Sequence, residues 1–222
     1  MKEMKKETRR EFIKKSAGAA AVLSMPAIIP AGSFGANGKV SVAVIGLNGR
    51  GKSHIQGFMN LPDAEVTCLC DCDLNVLDPA VKEFEARYSK KVNKQQDLRK
   101  VFEDKSIDAV GIATPNHWHA LATIWACQAG KDVYVEKPGS HNIFEGRKMV
   151  EAANKYDRIV QHGVQLRSSV AVKEAVHHLR NGLIGRVYMA RGLVFRWRGD
   201  IGKKGPGTVP KGLDYDLWTG PA

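Results

Sequence analysis

No segment of this 222-residue chain is apolar for long enough to cross a bilayer. A helical span needs about twenty apolar residues. The nearest approach, Ser16 to Ala31, is mildly apolar, rich in alanine and broken by Pro26 and Pro30, so no stable membrane span is expected. Internal repeats are absent, which excludes stacked-repeat architectures. Cysteine is scarce, with four residues. Cys68, Cys70 and Cys72 alternate, and neighbours two apart on a strand bridge poorly. They read as buried thiols filling a core rather than as a metal site. A basic surplus on the body is also lacking. The chain carries +11, but residues 1–15 hold +4 and residues 179–222 hold +5, leaving +2 between them. Nucleic-acid binding calls for a basic patch on the folded body, so no nucleic-acid partner is expected.

What is present begins with an address. Thr8-Arg9-Arg10-Glu11-Phe12-Ile13-Lys14 resembles the twin-arginine export signal. With the alanine-rich stretch behind it, residues 1–36 read as a signal peptide, cleaved after Ser33 or Ala36. The alternative is a basic, amphipathic start of a cytoplasmic protein. The signal reading places the mature protein in the periplasm or outside the cell.

Beyond residue 36 the pattern alternates. Strands are expected at Lys39–Ile45, Glu65–Cys70, Asp108–Ala113, Asp132–Val135 and Arg158–His162. They are β-branched or apolar runs bounded by turn residues. Helices are expected from the Gly46–Ser53 loop toward Asn60, then at Asn75–Tyr88, Gln96–Glu103, His117–Ala129 and Ile143–Lys155. Strict alternation implies an α/β fold with a parallel sheet and right-handed crossovers. After Ser168 the pattern changes. Val170–Leu179 reads as a helix, Arg186–Arg198 as a long strand, and Gly199–Gly212 as a loop.

Two features carry chemistry. Gly46-Leu47-Asn48-Gly49-Arg50-Gly51-Lys52-Ser53 fits the P-loop pattern and also a G-x-x-G-x-G variant of the dinucleotide fingerprint. In both, glycines let backbone N–H groups approach phosphate at a helix N-terminus. Asp71 ends the next strand, 25 residues after Gly46. That position suits an acidic group on the ribose hydroxyls of NAD; in a P-loop protein Asp71 would imitate the magnesium aspartate. The second feature is Glu136-Lys137-Pro138, at the carboxyl end of a strand, where ligands of open α/β sheets bind. A lysine held there and partly desolvated can exchange protons near neutrality. The plainer reading is a surface lysine after an edge strand.

Three stretches, Ala113-Thr114-Pro115-Asn116-His117-Trp118-His119, Gly130 to Pro138 and Gly163-Val164-Gln165-Leu166-Arg167-Ser168-Ser169, together resemble the Gfo/Idh/MocA oxidoreductase family from about Lys39 onward. The resemblance implies an NAD(P)-binding Rossmann domain over residues 37–165. It also implies the beginning of a C-terminal α/β domain with a large open sheet over 166–222. That second domain is expected to be truncated, because Leu217-Trp218-Thr219-Gly220-Pro221-Ala222 resembles a W-x-G-P stretch near its start. It would supply the substrate roof and a homo-oligomer contact, and the stub alone is expected to lack turnover. Arg191, Arg196, Trp197 and Arg198 would then lie on a sheet face or subunit contact.

The resemblance also implies roles. Lys137 would be the catalytic lysine, facing a small carbohydrate substrate together with Arg167. Gly46, Gly49 and Gly51 would cradle the pyrophosphate of NAD or NADP, with Asn48 and Arg50 also binding the cofactor. Asp71 would take the adenosine ribose, which favours NAD, while Arg50 nearby would favour the extra phosphate of NADP. Thr114, Asn116, His119, Glu136 and Gln165 would line the rest of the groove. No metal site is expected, a groove role being preferred to chelation for His117 and His119. The Lys137–Pro138 bond is expected to be cis. The activity implied is hydride transfer to or from a sugar, polyol or glycoside hydroxyl. The alternatives are redox-assisted glycoside cleavage or isomerisation, and a sensor without turnover.

Overall fold

The computed structural model describes residues 38–194, 197–200, 202, 203, 205 and 207–221. The expected export signal and its cleavage points therefore lie outside the described residues. Six parallel strands form one sheet in the order β3-β2-β1-β4-β5-β6. They are β1 (Val40–Ile45), β2 (Ala64–Cys70), β3 (Asn93–Gln95), β4 (Ala109–Ile112), β5 (Asp132–Glu136) and β6 (Val160–Gly163). The helices between them are α1 (Arg50–Met59), α2 (Leu74–Tyr88), α3 (Leu98–Glu103), α4 (Asn116–Gln128) and α5 (Ile143–Lys155). After β6 come a 3-10 turn at Gln165–Ser168, α6 (Val170–Arg180) and the short α7 (Tyr215–Thr219).

Side-chain alternation on β1 builds two cores. Ala43 and Ile45 face the layer that includes α3, α4 and α5, with Val101, Phe102, Trp118 and Met149. Val44 faces α1 and α2, with Ile55, Leu77 and Phe84. Burial of both faces explains why the strands read as near-continuous apolar runs. Opposite Val42 and Ala43 the register jumps from Val66 to Cys68, so Thr67 is the extra residue of a bulge. The bulge puts Cys68 and Cys70 on the Ala43 face and Leu69 on the other. Cys68 and Cys70 are buried thiols, as expected, whereas Cys72 lies past the end of the strand. Burial pushes Cys68 up to about 12 and Cys72 up to about 11, far from the thiolate form that reacts or binds metal.

Local chemistry sets the element ends. Asp73, Asp97 and Asn142 accept backbone N–H groups at the starts of α2, α3 and α5. The cap at Asp97 is why α3 begins at Leu98 rather than Gln96. Strand β3 escaped sequence reading because Asn93-Lys94-Gln95 has neither apolar character nor alternation. The long strand expected at Arg186–Arg198 is a correction. Phe195 and Arg196 lie outside the described residues, and the rest is irregular and exposed. Its apolar side chains, Tyr188 and Val194 among them, have no partner strand among the described residues, and an unpaired strand in water is not stable.

Candidate active site

The carboxyl ends of β1, β2, β4 and β5 converge on one cleft. Strand β1 runs into the glycine loop. Gly46 has φ +87°, and a Cβ there would sit 2.6 Å from the Ala113 carbonyl carbon. Gly51 packs against the Gly46 carbonyl, where a Cβ would collide. Gly49 has φ +111° and open space around it, which the left-handed backbone rather than crowding reserves for glycine. No side chain caps the N-terminus of α1; Lys52 N–H turns back to Gly49 O (3.2 Å), and a helix N-terminus without a side-chain cap is a place where an anion can bind.

The loop is held by Asp71. Leu47 N–H donates to its Oδ2 (2.8 Å) and Asp73 N–H to its Oδ1 (3.1 Å). Burial pushes the Asp71 carboxyl up, against those two hydrogen bonds. Asp71 also lines a cavity of about 390 Å³ with Gly46, Asn48, Asp73, Thr114 and Trp118. A second cavity of similar volume, about 390 Å³, is lined by Arg50, Asn116, His119, Glu136, Lys137 and Gln165. Ala113 and Thr114 line both, so the two are halves of one cleft. Thr114 Oγ1 is buried and has no hydrogen-bond partner among the described residues.

Glu136 organises the second half. It is 4% exposed. Its carboxylate accepts from Arg50 Nε (2.9 Å), from Gln165 Nε2 (3.0 Å to each oxygen) and from Lys137 N–H (3.2 Å). His54 Nε2 lies 3.1 Å from it. Burial alone would raise the Glu136 carboxyl, but these partners win and hold it at about 2. Burial dominates at His54 and lowers its pKa, which leaves a neutral ring to donate to Glu136. His119 is fully buried, with its ring nitrogens 2.6 Å from Pro138 O and 2.9 Å from Thr114 O. Both nitrogens are thus occupied by carbonyls, and among the described residues no cluster suited to a metal ion occurs.

The Lys137–Pro138 bond is cis, as the resemblance implied. Lys137 itself departs from expectation, because it is exposed rather than desolvated. It stands one residue beyond β5, and nothing among the described residues covers it. Arg167 is exposed on the 3-10 turn and lines neither half of the cleft. The P-loop alternative fails on geometry. Lys52 Nζ points away to Glu83 on α2 (3.4 Å), and Lys52 and Ser53 line a separate pocket behind the loop. Sequence reading missed His54, Leu213 and the placement of Leu217 and Trp218 against the cleft.

Comparison with known proteins decides the family. The profile described as "Oxidoreductase family, NAD-binding Rossmann fold" matches residues 40–164. The chain belongs to the Gfo/Idh/MocA oxidoreductase family. It is 29% identical to levoglucosan dehydrogenase of Pseudarthrobacter phenanthrenivorans over 72% of this chain and 42% of that protein. It is 34% identical to a glycosyl hydrolase family 109 protein of Shewanella baltica over 52% of this chain and 26% of that protein. Among solved structures, myo-inositol 2-dehydrogenase from Lactobacillus plantarum matches with TM-score 0.61 and 26% identity, covering 67% of this chain and 43% of that one. The WlbA dehydrogenase from Bordetella pertussis, in complex with NADH and UDP-GlcNAcA, matches with TM-score 0.60 and 25% identity over 68% and 42%. The chain thus spans less than half the length of these relatives. Among the described residues no helix is long and apolar enough to cross a membrane.

Proposed function

We propose that this protein is an oxidoreductase that moves hydride between a tightly held nicotinamide dinucleotide and a hydroxyl of a sugar, polyol or glycoside. One observation carries the reading. Lys137 stands at the carboxyl end of β5 in the same cleft as the glycine loop and Asp71. The glycine loop fits the pyrophosphate, with Gly46, Gly49 and Gly51 clearing space and Asn48 and Arg50 at its rim. Asp71 fits the adenosine ribose. Thr114, Asn116, His119, Glu136 and Gln165 fit the nicotinamide half. Bound there, the dinucleotide supplies the hydride acceptor or donor. NAD is favoured over NADP on two grounds. A carboxylate at Asp71 repels a 2′-phosphate. Arg50, the nearby cation, is paired to Glu136 in the other half of the cleft.

Lys137 takes the proton of the substrate hydroxyl and returns it on the reverse step. Its exposure leaves the amine accessible to a substrate, whose arrival removes water from it. Arg167 is the second substrate contact proposed. The relatives named levoglucosan and inositol dehydrogenase support a carbohydrate substrate. The matches to glycosyl hydrolase family 109 proteins support a second reading, glycoside cleavage by transient oxidation.

The twin-arginine-like signal motivates a retained cofactor. A protein that folds before export carries its dinucleotide along, and little free NAD exists outside to replace it. Net chemistry is then an exchange between two sugars, or an oxidation coupled to elimination or isomerisation. The test is mass spectrometry of the exported, full-length protein after long dialysis, followed by assay with candidate sugars. Retained NAD and undiminished activity are expected. Activity that disappears on dialysis and returns with micromolar NAD as an ordinary substrate rejects retention.

A further inference from the structure

The adenosine half of the cleft is walled by a segment remote in sequence. Leu213, Leu217 and Trp218 line it together with Gly46, Asp71, Val76 and Trp118. Before reaching it, the chain leaves the sheet at Gly163 and crosses residues 183–209, whose described members are exposed and form no element. It then returns and is stitched down. Leu74 N–H donates to Gly212 O (3.0 Å) and Asp214 N–H to Cys72 O (3.0 Å), flanking an antiparallel bridge between Asp73 and Leu213. Asn75 Nδ2 donates to Lys211 O (2.8 Å) and Gln96 Nε2 to Gly212 O (3.1 Å). Trp118 Nε1 donates to Leu217 O (2.8 Å), and His117 Nε2 meets Trp218 O at 3.0 Å. Gly220, at φ +51°, lies flat on the Trp118 ring, where any Cβ would collide.

Ordering so long a return costs conformational entropy, and the contacts that offset it sit on the elements that build the cleft. The cavity they close has two characters. Asn48, Asp71 and Asp73 are polar, whereas Val76, Leu98, Trp118, Leu213, Leu217 and Trp218 are flat or aliphatic. A volume of about 390 Å³ is within the range of small-ligand pockets. A nucleoside has the same division, a polar ribose joined to a flat base.

We propose that Leu213, Leu217 and Trp218 are the adenine wall of the cofactor cleft, and that residues 210–220 form a strap that must lift before the dinucleotide can leave. The proposal rests on the dinucleotide reading above and adds the residues that hold the base and slow its exchange.

The test separates the two halves of the cofactor in the full-length protein. ADP probes the adenosine half and nicotinamide mononucleotide the other, each by calorimetry, with NADH release followed by stopped flow. Trp218→Ala is expected to weaken ADP about tenfold or more, the scale of one lost base-stacking contact. It should speed NADH release by a similar factor and leave nicotinamide mononucleotide within twofold. Trp218→Phe should recover most of the ADP affinity. ADP affinity and NADH release both within twofold of wild type in Trp218→Ala overturn the proposal, as does equal weakening of both probes. If Trp218→Ala does not fold, amide exchange on the wild type decides. ADP should slow exchange at residues 212–220, and unchanged exchange there overturns the strap. Wild-type protein that binds neither NAD nor NADP overturns this proposal and the dinucleotide reading together. Wild-type binding of NAD that is indifferent to Trp218 overturns the wall alone.

Discussion

The two halves of the cleft differ in how far this chain completes them. At the Asp71 end the carboxylate is tied to the glycine loop, and a returning segment walls the cavity. At the Lys137 end a buried, fully bonded Glu136 lies beneath an exposed lysine. The first is built like a binding site, walled by a tied loop and a returning segment. The second is built like a reaction site, with a fixed foundation and an accessible amine. On the proposed reading, affinity is stored on the β2 side of the sheet and chemistry on the β5 side.

The largest break of that contrast is Lys137→Met in the full-length enzyme. Turnover should fall by about 10²–10⁴-fold, the scale of lost acid–base catalysis, while NAD affinity stays within about threefold. Equal losses in binding and turnover would erase the distinction. Next is Glu136. Its folded pKa is depressed from 4.5 to about 2. Its stabilisation is therefore fully present above pH 4.5 and is lost as pH falls toward 2. The shift corresponds to at most about 3 kcal/mol. Glu136→Gln should flatten that acid limb in urea titrations at stepped pH and should cost activity through Arg50 and Gln165. An unchanged acid limb in Glu136→Gln would show that the cluster does not hold the fold.

Asp71→Asn should act on the other half. Hydrogen bonds to a charged group contribute roughly 1.5–3 kcal/mol, so NAD should weaken by roughly 10- to 100-fold and NADP by less. A larger loss for NADP would reverse the specificity argument. The smallest effect is expected at Lys52→Ala, because Lys52 points to Glu83 behind the loop. NAD affinity within twofold of wild type, measured by fluorescence titration, is the expected result; a collapse would revive the P-loop reading.

The sheet was legible because parallel strands buried on both faces announce themselves as apolar runs, as at Val40–Ile45 and Asp132–Glu136. Where a strand is short and polar, as at Asn93–Gln95, or apolar but unpartnered, as after Arg186, composition misleads, because pairing rather than propensity decides. The cleft residues were legible from the glycine loop, Asp71 and the Glu136-Lys137-Pro138 turn, since each motif stands at a strand end. Their mutual pairing was not. Nothing in the spacing of Arg50, His54 and Gln165 shows that all three reach Glu136. The strap was the least legible part, since it joins residues separated by about a hundred positions through backbone carbonyls that carry no side-chain signature.

The arrangement as a whole is tested most directly by a crystal structure of the full-length protein with its dinucleotide. The account predicts adenine against Leu213, Leu217 and Trp218, ribose on Asp71, and nicotinamide in the half lined by His119, Glu136 and Lys137. A dinucleotide in the opposite orientation, or one whose nicotinamide lies away from Lys137, would contradict it.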